Sequence, residues 1–166
     1  MEKLISVREF AQYLTELFGQ AGDSLTNKKL QKILYYVQSW HLVYFDSMLF
    51  DEIPEAWVHG PVYPSVYQKY KKFQFQPIVI DKNCTKQKTD ALFTSFNLST
   101  DQKEFMEEVL NFYGGKSALE LELATHRETP WLEARGQLAD DDVSSHPIKI
   151  ATMKQYYTTL RDKNAI

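Results

Sequence analysis

Cysteine is nearly absent: Cys84 is the single one among 166 residues. One thiol excludes an internal disulfide and any metal site built from paired cysteines. The four histidines, His41, His59, His126 and His146, are neither spaced i, i+4 nor gathered in a tight loop, so no metal site is expected. His126-Arg-Glu128 supplies the first half of a deaminase-like pattern, but the Pro-Cys-x-x-Cys half is missing. Also missing are a phosphate-cradling G-x-x-x-x-G-K-[ST], a dinucleotide-type G-x-G-x-x-G and a nucleophile-elbow G-x-S-x-G. No spacing of Asp and Glu singles out an acid/base pair. The chain is therefore expected to have no catalytic residue and no cofactor. No run of 18 apolar residues exists, so no membrane span is expected. The first ten residues mix charges and lack an apolar signal core, which makes the cytoplasm the expected location.

What the chain does have is apolar and aromatic mass. Hydrophobic residues make up 43% and aromatics 14%, which excludes disorder as the default state. The length suits one domain over 1–166, large enough for a core without staples. The net charge of −3 argues against binding driven by phosphate neutralisation. That charge is uneven. Residues 26–90 carry nine basic and six acidic groups, whereas residues 91–145 carry four basic and eleven acidic. The acidic half could speed the encounter with a basic partner.

Helix signals dominate. Ser6-x-x-Glu9, Ser99-x-x-Gln102 and Ser117-x-x-Glu120 are capping boxes, each opening a helix. Thr26 or Asn27 caps a second helix running to about Phe45, with Leu30, Ile33, Leu34, Val37, His41 and Tyr44 as its inward stripe. Pro64 opens a helix carrying Val66, Tyr67, Tyr70 and Phe73. Thr129 is expected as the N-cap before Pro130, starting a short helix over Trp131–Arg135. Pro147 precedes a last amphipathic stretch to about Arg161. Pro54, Gly60 and Pro61 break the chain between helices, leaving a short extended piece near 55–58. Pro77–Ile80 reads as a short strand, and 81–96 as a loop with room for a second short strand. The expected fold is mainly α: one compact domain of six or seven helices with at most a small β element.

Two chemical readings compete with a plain binding scaffold. Cys84 lies between Lys82 and Lys86, so a cryptic hydrolase would use Cys84 with His126. Tyr67-Gln-Lys-Tyr-Lys-Lys-Phe73 mixes bases with aromatics, as single-stranded nucleic-acid binders do, and would suit an autoregulator.

Four segments, in order, are more specific. They are Lys29-Leu-Gln31-Lys-Ile-Leu-Tyr-Tyr36 with Trp40; Glu55-Ala-Trp57-Val-His59-Gly60-Pro61-Val with Tyr63, Pro64 and Tyr67; Tyr113-Gly-Gly; and Leu121-Glu-Leu-Ala-Thr125-His126-Arg-Glu-Thr-Pro130-Trp131-Leu-Glu-Ala-Arg135. This pattern, over about residues 5–160, resembles the Panacea-domain antitoxins, including the phage-associated GepA-like proteins and the proteolytic adaptor SocA. His59 stands where Tyr is common, and Ala124 where a bulkier apolar residue is. The resemblance implies a helical scaffold that neutralises a cognate toxin protein, with a cellular protease as a second partner if it works as an adaptor. It brings no catalytic residue and names no toxin. Tyr36, Trp40, His59, Tyr63 and Tyr67 are the candidate contact residues, because exposed Trp and Tyr are common hot spots. Lys29, Gln31, Trp57, Gly60, Pro61, Thr125, His126, Pro130, Trp131 and Arg135 are the candidate scaffold. Trp57 is expected to be largely buried beside a turn at Gly60. At least two of Thr125, His126 and Arg135 are expected to bond backbone groups.

Overall fold

The computed structural model describes residues 3–164, so the four terminal positions of the expected 1–166 domain lie outside the described residues. Among the described residues eight α helices share one core: α1 Val7–Gln20, α2 Asn27–Phe45, α3 Pro64–Tyr70, α4 Lys86–Ser95, α5 Thr100–Gly114, α6 Ala118–Thr125, α7 Thr129–Arg135 and α8 Ile150–Lys163. Between α2 and α3 a two-stranded antiparallel hairpin is formed by β1 Glu55–Trp57 and β2 Gly60–Val62.

Two of the three expected capping boxes close in full, and the third forms by its Ser half. Ser6 Oγ accepts from Glu9 N–H, and the reciprocal Ser99/Gln102 and Ser117/Glu120 pairs open α5 and α6. Thr26 Oγ1 accepts from Lys29 N–H and so caps α2.

Helix α2 runs through the middle of the molecule. It is buried on nearly every side, so its polar side chains must find partners inside the protein. Gln38 Oε1 accepts from both Leu49 and Phe50 N–H, and His41 Nδ1 lies 2.7 Å from Ser47 O. Helix α2 packs against α8, α5, α6 and α1, and Leu30, Ile33, Leu34 and Tyr35 are fully excluded from water. Each such aliphatic burial contributes about 1.5–3 kcal/mol. Tyr44 departs from the expected inward stripe: it is 57% exposed, and Phe45, stacked on His41, takes the inward place beside it.

Three local expectations are corrected. Residues 86–95 form a helix within the expected loop, which raises the helix count to eight. Its first turns are polar and carry no 3.6-residue stripe, and tertiary stacking of Phe93 on Tyr13 at 4.7 Å anchors it to α1. Pro77–Ile80 is not a strand: one isolated bridge joins Pro77 to Thr26, and Val79 is exposed. Helix α7 is capped at Glu128, not Thr129, which is already helical, so Pro130 takes the second position.

Candidate functional site

Three-residue strands are marginal alone and need support from their surroundings. The hairpin register pairs Glu55 with Val62, Ala56 with Pro61 and Trp57 with Gly60. Val58 and His59 make the two-residue connection. Gly60 has φ +108°, a conformation that L side chains rarely adopt. A Cβ there would also sit 2.5 Å from Lys32 Cε and 2.8 Å from Thr125 Oγ1. Two separate constraints thus require glycine.

The backbone groups left over by the hairpin are met from other elements. Arg135 Nη1–H donates to Ala56 O at 3.3 Å, and Trp131 Nε1–H donates to Trp57 O at 2.9 Å. Ala56 N–H donates to His146 O at 2.8 Å. On the other edge, Pro61 has no N–H to offer. Only its carbonyl and the Tyr63 amide need partners there. Lys32 Nζ donates to Pro61 O at 3.2 Å, and Gln31 Oε1 accepts from Tyr63 N–H at 2.8 Å. Adjacent side chains of α2 thus stand in for a third strand.

Charge gathers beneath the hairpin. The Glu122 carboxylate, from α6, pairs with Lys28 and accepts from His59 Nδ1–H at 2.8 Å. Burial works to raise its pKa, but the hydrogen bonds from Lys28 and His59 prevail and hold it below the ordinary carboxylate value. Lys32 is buried, and desolvation lowers its pKa to about 7 against the pull of Glu122. Burial also lowers the His126 pKa. Its ring stacks on Trp131 at 4.2 Å, and its Nε2 is enclosed without a hydrogen-bond partner.

All four sequence segments meet here or beside it. Lys29 Nζ donates to Gly114 O at 2.7 Å, joining α2 to the end of α5, where a cation also suits the helix dipole. Thr125 Oγ1–H donates to Glu122 O at 2.8 Å. Besides Ala56 O, Arg135 reaches Ala139 O and Asp142 O, both at 2.7 Å. Pro130 and Trp131 are buried.

The candidate contact residues separate into two groups. Tyr36 and Tyr63 are buried and present no surface, which corrects their assignment: Tyr63 faces Phe50, and Tyr36 stacks on Tyr113 at 4.1 Å. Trp40 is half-buried and donates from Nε1 to Tyr113 OH at 2.7 Å. His59 is exposed at the hairpin tip, and Tyr67 is half-buried. Trp57 is also only half-buried, against the expectation of burial. Strand side chains alternate between faces, and Ala56 takes the inner one. The Trp57 indole stands edge-on to Tyr67 at 4.9 Å and donates to Glu55 Oε2 at 2.7 Å.

Sequence reasoning missed Lys32, Glu122 and Glu128. The signal available was a charge inside an otherwise apolar stripe: Lys32 between Leu30 and Ile33, Glu122 between Leu121 and Leu123. The third, Glu128, lies outside the hairpin cluster. Its buried carboxyl accepts from Tyr36 OH at 2.5 Å and from Tyr157 OH, and burial raises its pKa to about 7 against those two bonds. As for Cys84, its polar neighbours are Gln20, Thr85 and Thr89, none of them a base, and no hydrogen bond joins it to His126 among the described residues. Among those residues no group of three or more His, Cys, Asp or Glu could hold a metal ion, and no helix is long and apolar enough to cross a membrane.

The arrangement is thus a rigid hairpin, with an aromatic outer face, built on a buried polar cluster. A family model described as antitoxin SocA-like, Panacea domain, matches residues 30–132, more than half of the chain, a span that contains the hairpin together with Gln31, Lys32, Glu122 and Trp131. No curated protein and no solved structure matches.

Proposed function

The chain belongs to the SocA-like Panacea-domain antitoxins, and from that premise we propose that it neutralises a cognate protein toxin in the cytoplasm by binding it directly. The observation that supports this reading best is the outer face of the hairpin, where Trp57 and His59 stand at the surface, with Tyr67 of α3 against Trp57, on a hairpin backbone tied down from both edges. Trp and Tyr bring large contact area with few rotors. A backbone already held in place loses little entropy on binding, so more of the contact energy appears as affinity. The half-buried Trp40 can extend the contact surface. Thr125, Arg135 and Trp131 then serve as scaffold: they bond groups inside the domain and keep the hairpin in place. The protein does no chemistry on its toxin. It covers the surface the toxin needs.

Co-expression tests this. A toxic open reading frame encoded beside this chain is expected to become harmless when the chain is produced with it and to co-purify with it. Trp57→Ala is expected to lose the neutralisation while remaining folded. A toxin left fully active by the folded wild-type chain rejects the proposal. A toxin that disappears when co-expressed, and persists once cellular proteases are removed, identifies delivery for degradation as the mode of action.

A further inference from the structure

Lys32 sits in the middle of α2, 1% exposed, with Leu30, Ile33 and Leu34 around it in sequence. An ammonium in such a place costs far more to bury than an apolar side chain of equal length. Its hydrogen bond goes to the Pro61 carbonyl, 29 residues away, on the strand that carries the Gly-Pro corner. Space for its stem exists because residue 60 has no Cβ. The acidic group that acts on it among the described residues is Glu122, and that carboxylate is shared with Lys28 and with His59 at the hairpin tip. Position 32 is therefore bonded to the middle residue of β2, and through Glu122 it is linked electrostatically to the tip.

We infer that Lys32 is a positioning residue: by donating to the Pro61 carbonyl from inside α2, it sets the angle at which the hairpin presents Trp57 and His59 to the toxin. This rests on the toxin-binding role proposed above. The titratable and charged groups that face the cluster are Lys28 and Lys32 from α2, His59 from the hairpin, Glu122 from α6 and His126 at its C-cap, and Arg135 from α7. Protonation of Lys32 strengthens both its donation to Pro61 O and its attraction to Glu122. The hairpin is thus held more tightly below neutrality than above it.

The test uses the whole chain with 15N-labelled tryptophan. The three indole N–H groups report separate places: Trp57 bonds Glu55, Trp131 bonds Trp57 O, and Trp40 bonds Tyr113. Lys32→Met keeps the stem and removes the donor. It is expected to move the Trp57 and Trp131 signals, leave that of Trp40 in place, speed amide exchange over 55–62 by about tenfold and weaken toxin binding by about tenfold. In the wild type the Trp57 signal is expected to move as pH passes through about 7, and in Lys32→Met that step is expected to vanish; the Trp131 signal is set aside in the titration because His126 stacks on it. Unchanged hairpin exchange and unmoved signals in Lys32→Met overturn the inference. So does a loosened hairpin that still binds toxin with wild-type affinity. If Lys32→Met fails to fold, Lys32→Leu, which also lacks the donor, is put through the same measurements, and unchanged hairpin exchange there overturns the inference. A wild-type chain that neutralises no toxin rejects the proposed function instead, and the nuclear magnetic resonance signals still judge Lys32.

Discussion

The indole N–H of Trp131 donates to the backbone carbonyl of Trp57 across 74 positions of sequence, at 2.9 Å. One tryptophan is buried and the other half-exposed, and the first holds the backbone of the second. Trp131 also stacks on His126 and lies under the Arg135 guanidinium, so α6, α7 and the hairpin share one corner. Replacing Trp131 by Phe keeps most of the ring and removes only the donor. Trp131→Phe is expected to cost about 1–3 kcal/mol, the usual effect of stranding a partly buried carbonyl. Trp131→Ala adds a cavity and is expected to cost about 3–5 kcal/mol. Urea midpoints at constant m-value measure both.

Trp57 is expected to show the reverse balance of stability and binding. Its ring is half in water, so Trp57→Ala is expected to lower stability by only about 1–2 kcal/mol, from partial apolar area and the Tyr67 contact. Its effect on toxin affinity is expected to be larger, about 2 kcal/mol or more, as for a central aromatic anchor. Thermal melts and titration calorimetry on the same variant compare the two. A large stability loss with unchanged affinity would make Trp57 a purely structural residue.

Gly60→Ala is expected to be among the most damaging single-methyl additions in the molecule. The φ of +108° alone costs about 1–3 kcal/mol for a residue with a side chain, and the new Cβ meets Lys32 and Thr125 besides. Gly22→Ala is the control, because that position has φ +78° but open space around it. A melting temperature depressed further by Gly60→Ala than by Gly22→Ala separates the steric part from the conformational part.

The buried Glu128 carboxyl predicts an unusual pH dependence. Its folded pKa is raised from 4.5 to about 7 by burial, so between those values the folded protein holds a proton that the unfolded chain has released. Stability from this group therefore falls as pH rises from about 4.5 to 7, the opposite sign to a salt-bridged carboxylate. Above pH 7 both states are ionised and the penalty is constant. Glu128→Gln cannot ionise and still accepts from Tyr36 or Tyr157. It is expected to remove this slope and to melt at a higher temperature than the wild type at pH 8. Melting curves of the two proteins from pH 4.5 to 8 provide the comparison, and parallel curves would refute the assignment.

Much of the fold was legible because its signals are local. A Ser oxygen three residues before a Glu or Gln can close a capping box whatever lies elsewhere, and α1, α5 and α6 start where Ser6, Ser99 and Ser117 say they do. Gly60-Pro61 likewise announced a corner. Helix α4 escaped because its polar first turns carry no periodic stripe. Phe93 acquires its meaning only when Tyr13, eighty positions earlier, comes to lie against it.

Composition and local pattern alone determined a mainly helical domain around an apolar α2, with the aromatic and Gly-Pro segments that mark the family. They could not determine which aromatics face water. Strand parity turned Ala56 inward and Trp57 outward, and the packing of α5 and α8 on α2 covered Tyr36. Nor could they reveal that Lys32, Glu122 and Glu128 would be buried. A charge on a helix is ordinarily solvated at little cost, and whether it is desolvated depends on what packs over it. The folded chain placed Pro61, His59, Tyr36 and Tyr157 over those three charges, and in doing so decided both their proton affinities and the hold of α2 on the hairpin.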